Sequence, residues 1–525
     1  DAGVSVDAPA GDSGRSEWRA HERDLGAVGA PGSYSSVLAV AAVGVAAGNG
    51  QEGYKPYAAS SWGPTSDMRL KPEIAAPGWD VRAPVPGNEV RDLDGTGEAS
   101  AQVAGVAALV RQRLAADPMA AAMSEEERSA LVTNFLMGTA HPLLDVDQNN
   151  GTYYSPRRVG AGQVDALAAT TSFVYPTVVG AANPSRPKAD LGDGTQGWTF
   201  QVSLTNVSNE AHSYALGGQA LSEIVEDGLF TEHSTNWAGA GIDLTFSADS
   251  VTVPAQGSAT VTVTVTPRSA FASFANANAP KGTFIDGAVT FTSTDGAPDL
   301  TVPYMGFYGS WGAPAIFDGK WYDGTTSTAH ACSSTLMNPA TDVPLGALNP
   351  LDGQDSTAVR AVDPAYFIMS RSAAQEAPSK MLPRTCLLRN TPKLTYTYTN
   401  EDGQTVRSYT FERAKKSLFN YSAGAILPVE SQEGNNPVFD GFDEAGNELP
   451  DGRYTVTIEA ATYGPSSMTQ QTSYSFAVDT ASPVISNVAI TGEGDAATLS
   501  FDVTDASPIA GFGFKATPDG ALTLW

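Results

Sequence analysis

The rhythm of apolar and polar residues changes once along the chain, near residue 172. Before that point, SVLAVAAV (36–43) is unbroken apolar sequence, the pattern of a strand covered on both faces. SAQVAGVAALVRQRLAA (100–116) predicts a helix of small and aliphatic residues. It is apolar all round up to Arg111, so its first half is expected to be buried. SEEERSALVTNFLMGTA (124–140) predicts a second helix, opened by a capping box of Ser124 and Glu127 with acidic residues in the first turn. Strands alternating with buried helices predict an α/β layer on a largely parallel sheet.

After residue 172 the period becomes two. WTFQVSLTNVS (198–208) puts Phe200, Val202 and Leu204 on one face. VTVPAQGSATVTVTVTP (251–267) reads as strand, turn, strand, and GAVTFTSTDGAPDLTVPYMGFYG (287–309) repeats the design. Short alternating strands punctuated by Gly, Pro and Asp predict β-sandwich modules. The expected domains are 1–172, a partial α/β domain; 173–310, a sandwich; 311–480, a second β-rich domain; and 481–525, the start of another sandwich. In the third, KLTYTYTNEDGQTVRSYTF (393–411) predicts a hairpin, and 449–463 and 473–480 predict late strands.

The 525 residues are 42% hydrophobic and 17% charged, enough to bury several cores. A net charge of −27 argues against a nucleic-acid partner, which needs basic surface. It suits a protein working outside the cell or at its surface. No run approaches the roughly 20 apolar residues of a membrane span. No signal peptide is visible, and both ends read as cut. Cys332 and Cys386 either form one bridge or stay as two buried thiols.

Two segments carry candidate chemistry: SSWGPTSDMRLKPEIAAPG (60–78) and GTGEASAQVAG (95–105). Together they resemble the subtilisin-like serine proteases, or subtilases. That family's nucleophile motif reads G-T-S-x-A-x-P-x-V-A-G, with an S-x-x-G-P…KP-[DE]-I-x-A-P-G stretch before it at the same spacing. YYSPRRVGAGQVDALAA (153–169) resembles the segment that ends such catalytic domains. VPYMGFYGSWG (302–312), DEAGNELPDGRYTVTI (443–458) and VDTASPVI (478–485) resemble the fibronectin-type-III-like modules of lactocepin and complement-cleaving cell-envelope peptidases. The resemblance implies an α/β subtilisin-like partial domain followed by β-sandwich modules. It also implies a secreted or cell-envelope serine endopeptidase acting on protein or peptide, with possible cell-wall association through segments outside this chain.

A subtilase needs a serine hydroxyl at a helix start, a histidine to take its proton, an aspartate to orient the histidine, and oxyanion donors. Gly105 lies eight positions after Gly97, which therefore stands where the family has its nucleophilic serine. Glycine has no side chain to attack with. Ser100 lies about 5 Å further along a helix axis, too far to replace it. Ala101 stands where the family usually has Pro. The family's Asp and His motifs are absent, and residues 1–3 resemble the positions just after its oxyanion Asn. His21, His141, His212, His233 and His330 share no local pattern. The motif positions Gly95, Thr96, Pro77 and Gly78 read as architecture, and the resemblance places Ser61, Trp62, Gly63 and Pro64 as a loop on the substrate side.

No cofactor is expected. Asp145, Asp147 and Asn149 alternate oxygens as in a calcium loop, but glycine comes late, at Gly151, and the bidentate Glu is missing, so an acidic turn is the default reading. Asn206-Val207-Ser208 matches a glycosylation sequon. Two functions fit this sequence: a family endopeptidase whose present chain is inactive, or a pseudoprotease serving as a cell-surface binding scaffold.

Overall fold

A computed structural model describes every residue except 1–3, 5, 15–25, 46–52, 118–119, 121, 227–228, 326–331, 333, 349–360, 372–377, 418, 421–424, 433, 493–496, 510–513, 517–521 and 525. The chain divides into two compact units. One comprises residues 1–314 with 463–467, the other 315–462 with 468–525.

The first unit opens with β1 (Asp7–Pro9), β2 (Leu38–Val45), β3 (Tyr54–Pro56) and β4 (Ile74–Pro77). β2 is central: β1 and β4 run parallel to it and β3 antiparallel. Its residues from Leu38 to Gly44 are all buried, as its unbroken apolar run requires. A ribbon of β5 (Val81–Val85) and β6 (Glu89–Leu93) leads into α1 (Thr96–Ala116). α2 (Glu125–Gly138) starts at Ser124, where both hydrogen bonds of the capping box form. Two short helices come next, α3 (Pro156–Val159) and α4 (Ala166–Thr171).

Sequence and structure part company on α1. All-round apolarity predicts a buried first half, but only Thr96, Ala99, Val103, Val110 and Leu114 are buried. Ala101, Ala104 and Gly105 are exposed, and Leu109 is half exposed. The helix packs one face on β2, β4 and α2, and the composition of the other face reveals no neighbour.

The sandwich contains β7 (Val174–Val178), β8 (Ala189–Gly194), β9 (Trp198–Asn206), β10 (His212–Glu226), β11 (Leu229–Asn236), β12 (Ile242–Phe246), β13 (Ser250–Val253), β14 (Ser258–Pro267), α5 (Ser269–Asn278), β15 (Thr283–Ser293) and β16 (Leu300–Tyr308). One sheet runs β12-β14-β9-β7. The other runs β11-β10-β15-β16-β8, with β13 also on β10. Phe200, Val202 and Leu204 of β9 point into the shared core with Val261, Val263 and Val265 of β14. They meet Val289, Phe291, Val302 and Tyr304 from the other sheet, so the period-two pattern is read out directly.

The second unit has a five-stranded sheet in the order 368–369, 469–478, 452–461, 391–400, 405–414. Its core is aromatic: Tyr398 stacks on Phe439 at 4.3 Å between centroids, and Phe476 packs edge-on to both. Cys332 and Cys386 form a disulfide within it. Val484–Thr491 pairs with Thr498–Thr504 as a hairpin.

Candidate active site

The start of α1 is built from glycines for steric reasons. Gly78 ends β4, and its carbonyl accepts the Gly95 amide at 2.7 Å. A β-carbon on Gly78 would lie 2.4 Å from the Gly95 carbonyl oxygen and 2.8 Å from Ala42 Cβ, so no larger residue fits. Gly95 caps the helix at φ 153°, a conformation open to glycine. The Pro77 carbonyl accepts from Gln102 Nε2 at 2.7 Å, which ties β4 to the first turns of α1.

Thr96 is buried and holds the helix start to the chain after β1. Its amide donates to Asp12 Oδ1 at 2.9 Å, and its hydroxyl accepts the Gly11 amide at 3.1 Å. Among the described residues no acceptor is found for the amides of Gly97 and Glu98. Free N–H groups of this kind stabilise negative charge at a helix start. Glu98 already brings a carboxylate into that first turn.

Gly97 contrasts with its glycine neighbours. It is exposed, has no positive φ, and a β-carbon placed on it meets no atom of the described residues within 4 Å. Neither backbone nor space demands glycine there, so a serine side chain would fit. Ser100 does not replace it: its hydroxyl donates back to the Gly97 carbonyl at 3.1 Å.

The 61–64 loop is packed inside the first unit. Ser61, Trp62, Gly63 and Pro64 are all buried. The Ser61 amide donates to the Gly11 carbonyl at 2.7 Å, and its hydroxyl accepts the Ser13 amide at 3.0 Å. Trp62 lies under the Arg158 guanidinium, 5.0 Å from the ring centre. A β-carbon on Gly63 would fall 2.0 Å from the Lys71 carbonyl oxygen. The loop thus braces residues 11–13, which in turn hold Thr96.

Lys71-Pro72-Glu73 is an internal charge site. Lys71 Nζ donates to the carbonyls of Tyr34 (2.9 Å) and Val37 (2.7 Å) and pairs with Glu73. Glu73 Oε2 accepts the Ala39 amide at 2.7 Å, which aligns β2 beside β4. Burial depresses Lys71 to about 8. Burial also pushes Glu73 upward, but Lys188 and Lys71 outweigh it and hold the carboxyl below its ordinary value.

The histidines lie elsewhere. His141 Nε2 pairs with Asp165 at 2.8 Å and His233 Nδ1 with Asp145 at 2.6 Å. His212 lies between Ser208 Oγ (3.3 Å) and Asp295 Oδ2 (3.4 Å), an alignment that no local sequence pattern marks. Both separations exceed the roughly 2.6–3.2 Å of a working dyad, and the Ser208 hydroxyl closes a turn onto Asn206 and Glu210. No described histidine hydrogen-bonds a residue of 94–110. His21, His330 and residues 1–3 lie outside the described residues.

The calcium-like loop is a hydrogen-bonded turn. Asp145 accepts from the amides of Asp147 and Gln148 and from Gln148 Nε2, besides pairing with His233. Asp147 pairs with Lys55 at 2.7 Å, and Asn149 adopts φ 49°. The sequon asparagine is also engaged. Asn206 is buried, and its Nδ2 donates to the carbonyls of Glu210, Val253 and Pro254, which withdraws it from glycosylation in the folded chain.

The subtilase family model matches residues 2–162, and the Fn3-like domain model matches residues 190–305. A C5a peptidase of Streptococcus pyogenes serotype M1 is 24% identical over 485 residues, covering 82% of this chain and 39% of that protein. A PII-type proteinase of Lactococcus lactis subsp. cremoris is 26% identical over 452 residues, covering 83% of this chain and 23% of that protein. The chain therefore spans well under half the length of these relatives. The solved prenylagaramide maturation protease PagA shares 27% identity over 32% of this chain and 50% of its own, at a TM-score of 0.23, which is too low for a structural argument. On its motifs and on these matches, residues 2–162 are similar to the subtilase family and residues 190–305 to Fn3-like domains, and the chain as a whole is similar to subtilisin-like cell-envelope proteases.

Proposed function

We propose that this chain is the nucleophile-helix portion, with the β modules, of a secreted or cell-envelope subtilisin-like serine endopeptidase, and that in this form it does not hydrolyse peptide bonds. The substrate class of the whole protein is protein or peptide, in keeping with the peptidase and proteinase names of its relatives. A net charge of −27 speaks against nucleic acid.

The observation that carries this reading is Gly97. Acyl transfer begins with a hydroxyl at the helix start, beside free amides that receive the oxyanion. The helix start and its free amides are present, but the hydroxyl is not. Glu98 adds a negative charge where an oxyanion would form.

A fluorophosphonate probe tests the reading on the chain itself. The expected result is no adduct on any serine within 94–110 after prolonged incubation. An adduct there, mapped by peptide mass spectrometry, overturns it.

A second reading is a pseudoprotease whose modules bind other surface molecules. It is favoured by the joint departure of Gly97, Glu98 and Ala101 from the hydrolytic motif. Intact Asp and His motifs encoded upstream would weigh against it.

A further inference from the structure

The first arginine of SPRRVG, Arg157, in the segment that resembles the end of a catalytic domain, is buried with no carboxylate of its own segment beside it among the described residues. Arg157 Nε meets Asp286 Oδ2 at 2.6 Å, and Nη2 meets Glu223 Oε1 at 2.6 Å. Both acids belong to the sandwich, on β15 and β10. The guanidinium also stacks 4.0 Å over Phe284 of β15, and Ser155 Oγ donates to Asp286 at 2.6 Å. Arg157, Glu223 and Asp286 are all essentially inaccessible to solvent.

A second contact repeats the scheme. Glu73, already paired with Lys71, accepts Lys188 of the sandwich at 2.8 Å. Lys188 Nζ also donates to the Leu70 carbonyl, and Asp190 Oδ1 accepts the Leu70 amide at 2.6 Å. Between the two charge sites runs an apolar seam. Met68 and Leu70 pack with Phe284, Met305, Phe307 and Trp311 in one buried cluster.

We infer that the Fn3-like sandwich is an obligate folding partner of the subtilase segment, and that Arg157 enforces the pairing. Arginine does not lose its charge at any accessible pH. A segment that folded without the sandwich would expose Met68 and Leu70 to water, and a module docked here without these acids would leave Arg157 desolvated with no counter-charge, a state that strongly disfavours the docking. The partner must therefore present two converging carboxylates and an aromatic face at this seam. A module lacking an acid at the positions of Glu223 and Asp286 cannot replace this one. The inference does not depend on whether the chain hydrolyses peptides.

The test is native-state hydrogen exchange in rising denaturant on the 525-residue chain. It compares amides of β2 and α2 with amides of β9 and β14. In the unaltered chain the two sets should open together, with one midpoint. Glu223→Gln with Asp286→Asn should lower both midpoints together, and adding Arg157→Met should recover part of the loss by removing the uncompensated charge. Separate midpoints in the unaltered chain would overturn the inference. So would a paired substitution that loosens β9 and β14 but leaves β2 and α2 unchanged. If the paired variant does not fold, the unaltered chain and the triple variant still decide.

Discussion

Asp12 accepts the backbone amide of Thr96 at 2.9 Å, across 84 residues of sequence. The start of α1 is thus capped by a tertiary contact, since Gly95 offers no side-chain cap. Replacing Asp12 with Ala should cost about 1 kcal/mol, the usual value of a lost helix cap. Urea denaturation monitored by circular dichroism reads this directly, and an unchanged midpoint would remove the cap from the account.

Gly97 and Gly78 should respond oppositely to a side chain. Gly97→Ser enters open space, and serine is a better helix former than glycine. Stability should hold or rise by about 0.5 kcal/mol. The variant alone should still not react with a fluorophosphonate, because no described histidine bonds this stretch. Gly78→Ala drives a methyl against the Gly95 carbonyl and should cost about 2 kcal/mol. Equal thermal shifts for the two variants would contradict this geometry.

His233 and Asp145 should give the first unit a pH-dependent term. The hydrogen bond to Asp145 raises His233 above its ordinary value, against the opposing effect of burial. Its stabilisation is complete below the ordinary histidine range and is lost as pH rises through the raised value. Burial pushes Asp145 upward, but bonds from His233 and Gln148 bring it below the usual carboxylate range. Its contribution is lost only as pH falls through that lowered value. The melting-temperature difference between the unaltered chain and His233→Gln should therefore be largest in mild acid and shrink above neutrality. A constant difference from about pH 5 to about pH 9 would disprove the coupling.

Reduction of Cys332–Cys386 should act on the second unit. The bridge closes a loop with a sequence separation of 54, worth about 4 kcal/mol in the chain-entropy account. Dithiothreitol should lower the unfolding midpoint of residues 391–478 while leaving that of β2 and α2 in place. Proteolytic fragments collected across the melt separate the two.

Much of the fold was legible locally. The apolar run 36–43 became the central strand β2, and Ser124 and Glu127 formed their capping box. Phe200, Val202 and Leu204 turned inward as their spacing required. The exposed face of α1 was not legible, because apolar composition says that a face can be buried, not that a neighbour exists.

The site divides along the same line. Gly97 was readable by counting from Gly105, since a motif fixes positions along one helix. The burial of Trp62 was not readable, because it depends on Gly11, Ser13 and Arg158, which are distant in sequence. Asp145 read as part of an acidic turn with a calcium-like spacing, and His233 as one of several scattered histidines. Their 2.6 Å contact spans 88 residues.

Sequence by itself determined the elements and the glycine at position 97 of the helix start, because periodicity, caps and motif spacing are short-range properties of the chain. Tertiary structure alone decided which charges meet. Glu73 with Lys188, and Arg157 with Glu223 and Asp286, pair across long stretches of chain. A buried charge is tolerated only where the fold brings it a partner, and no local pattern names that partner.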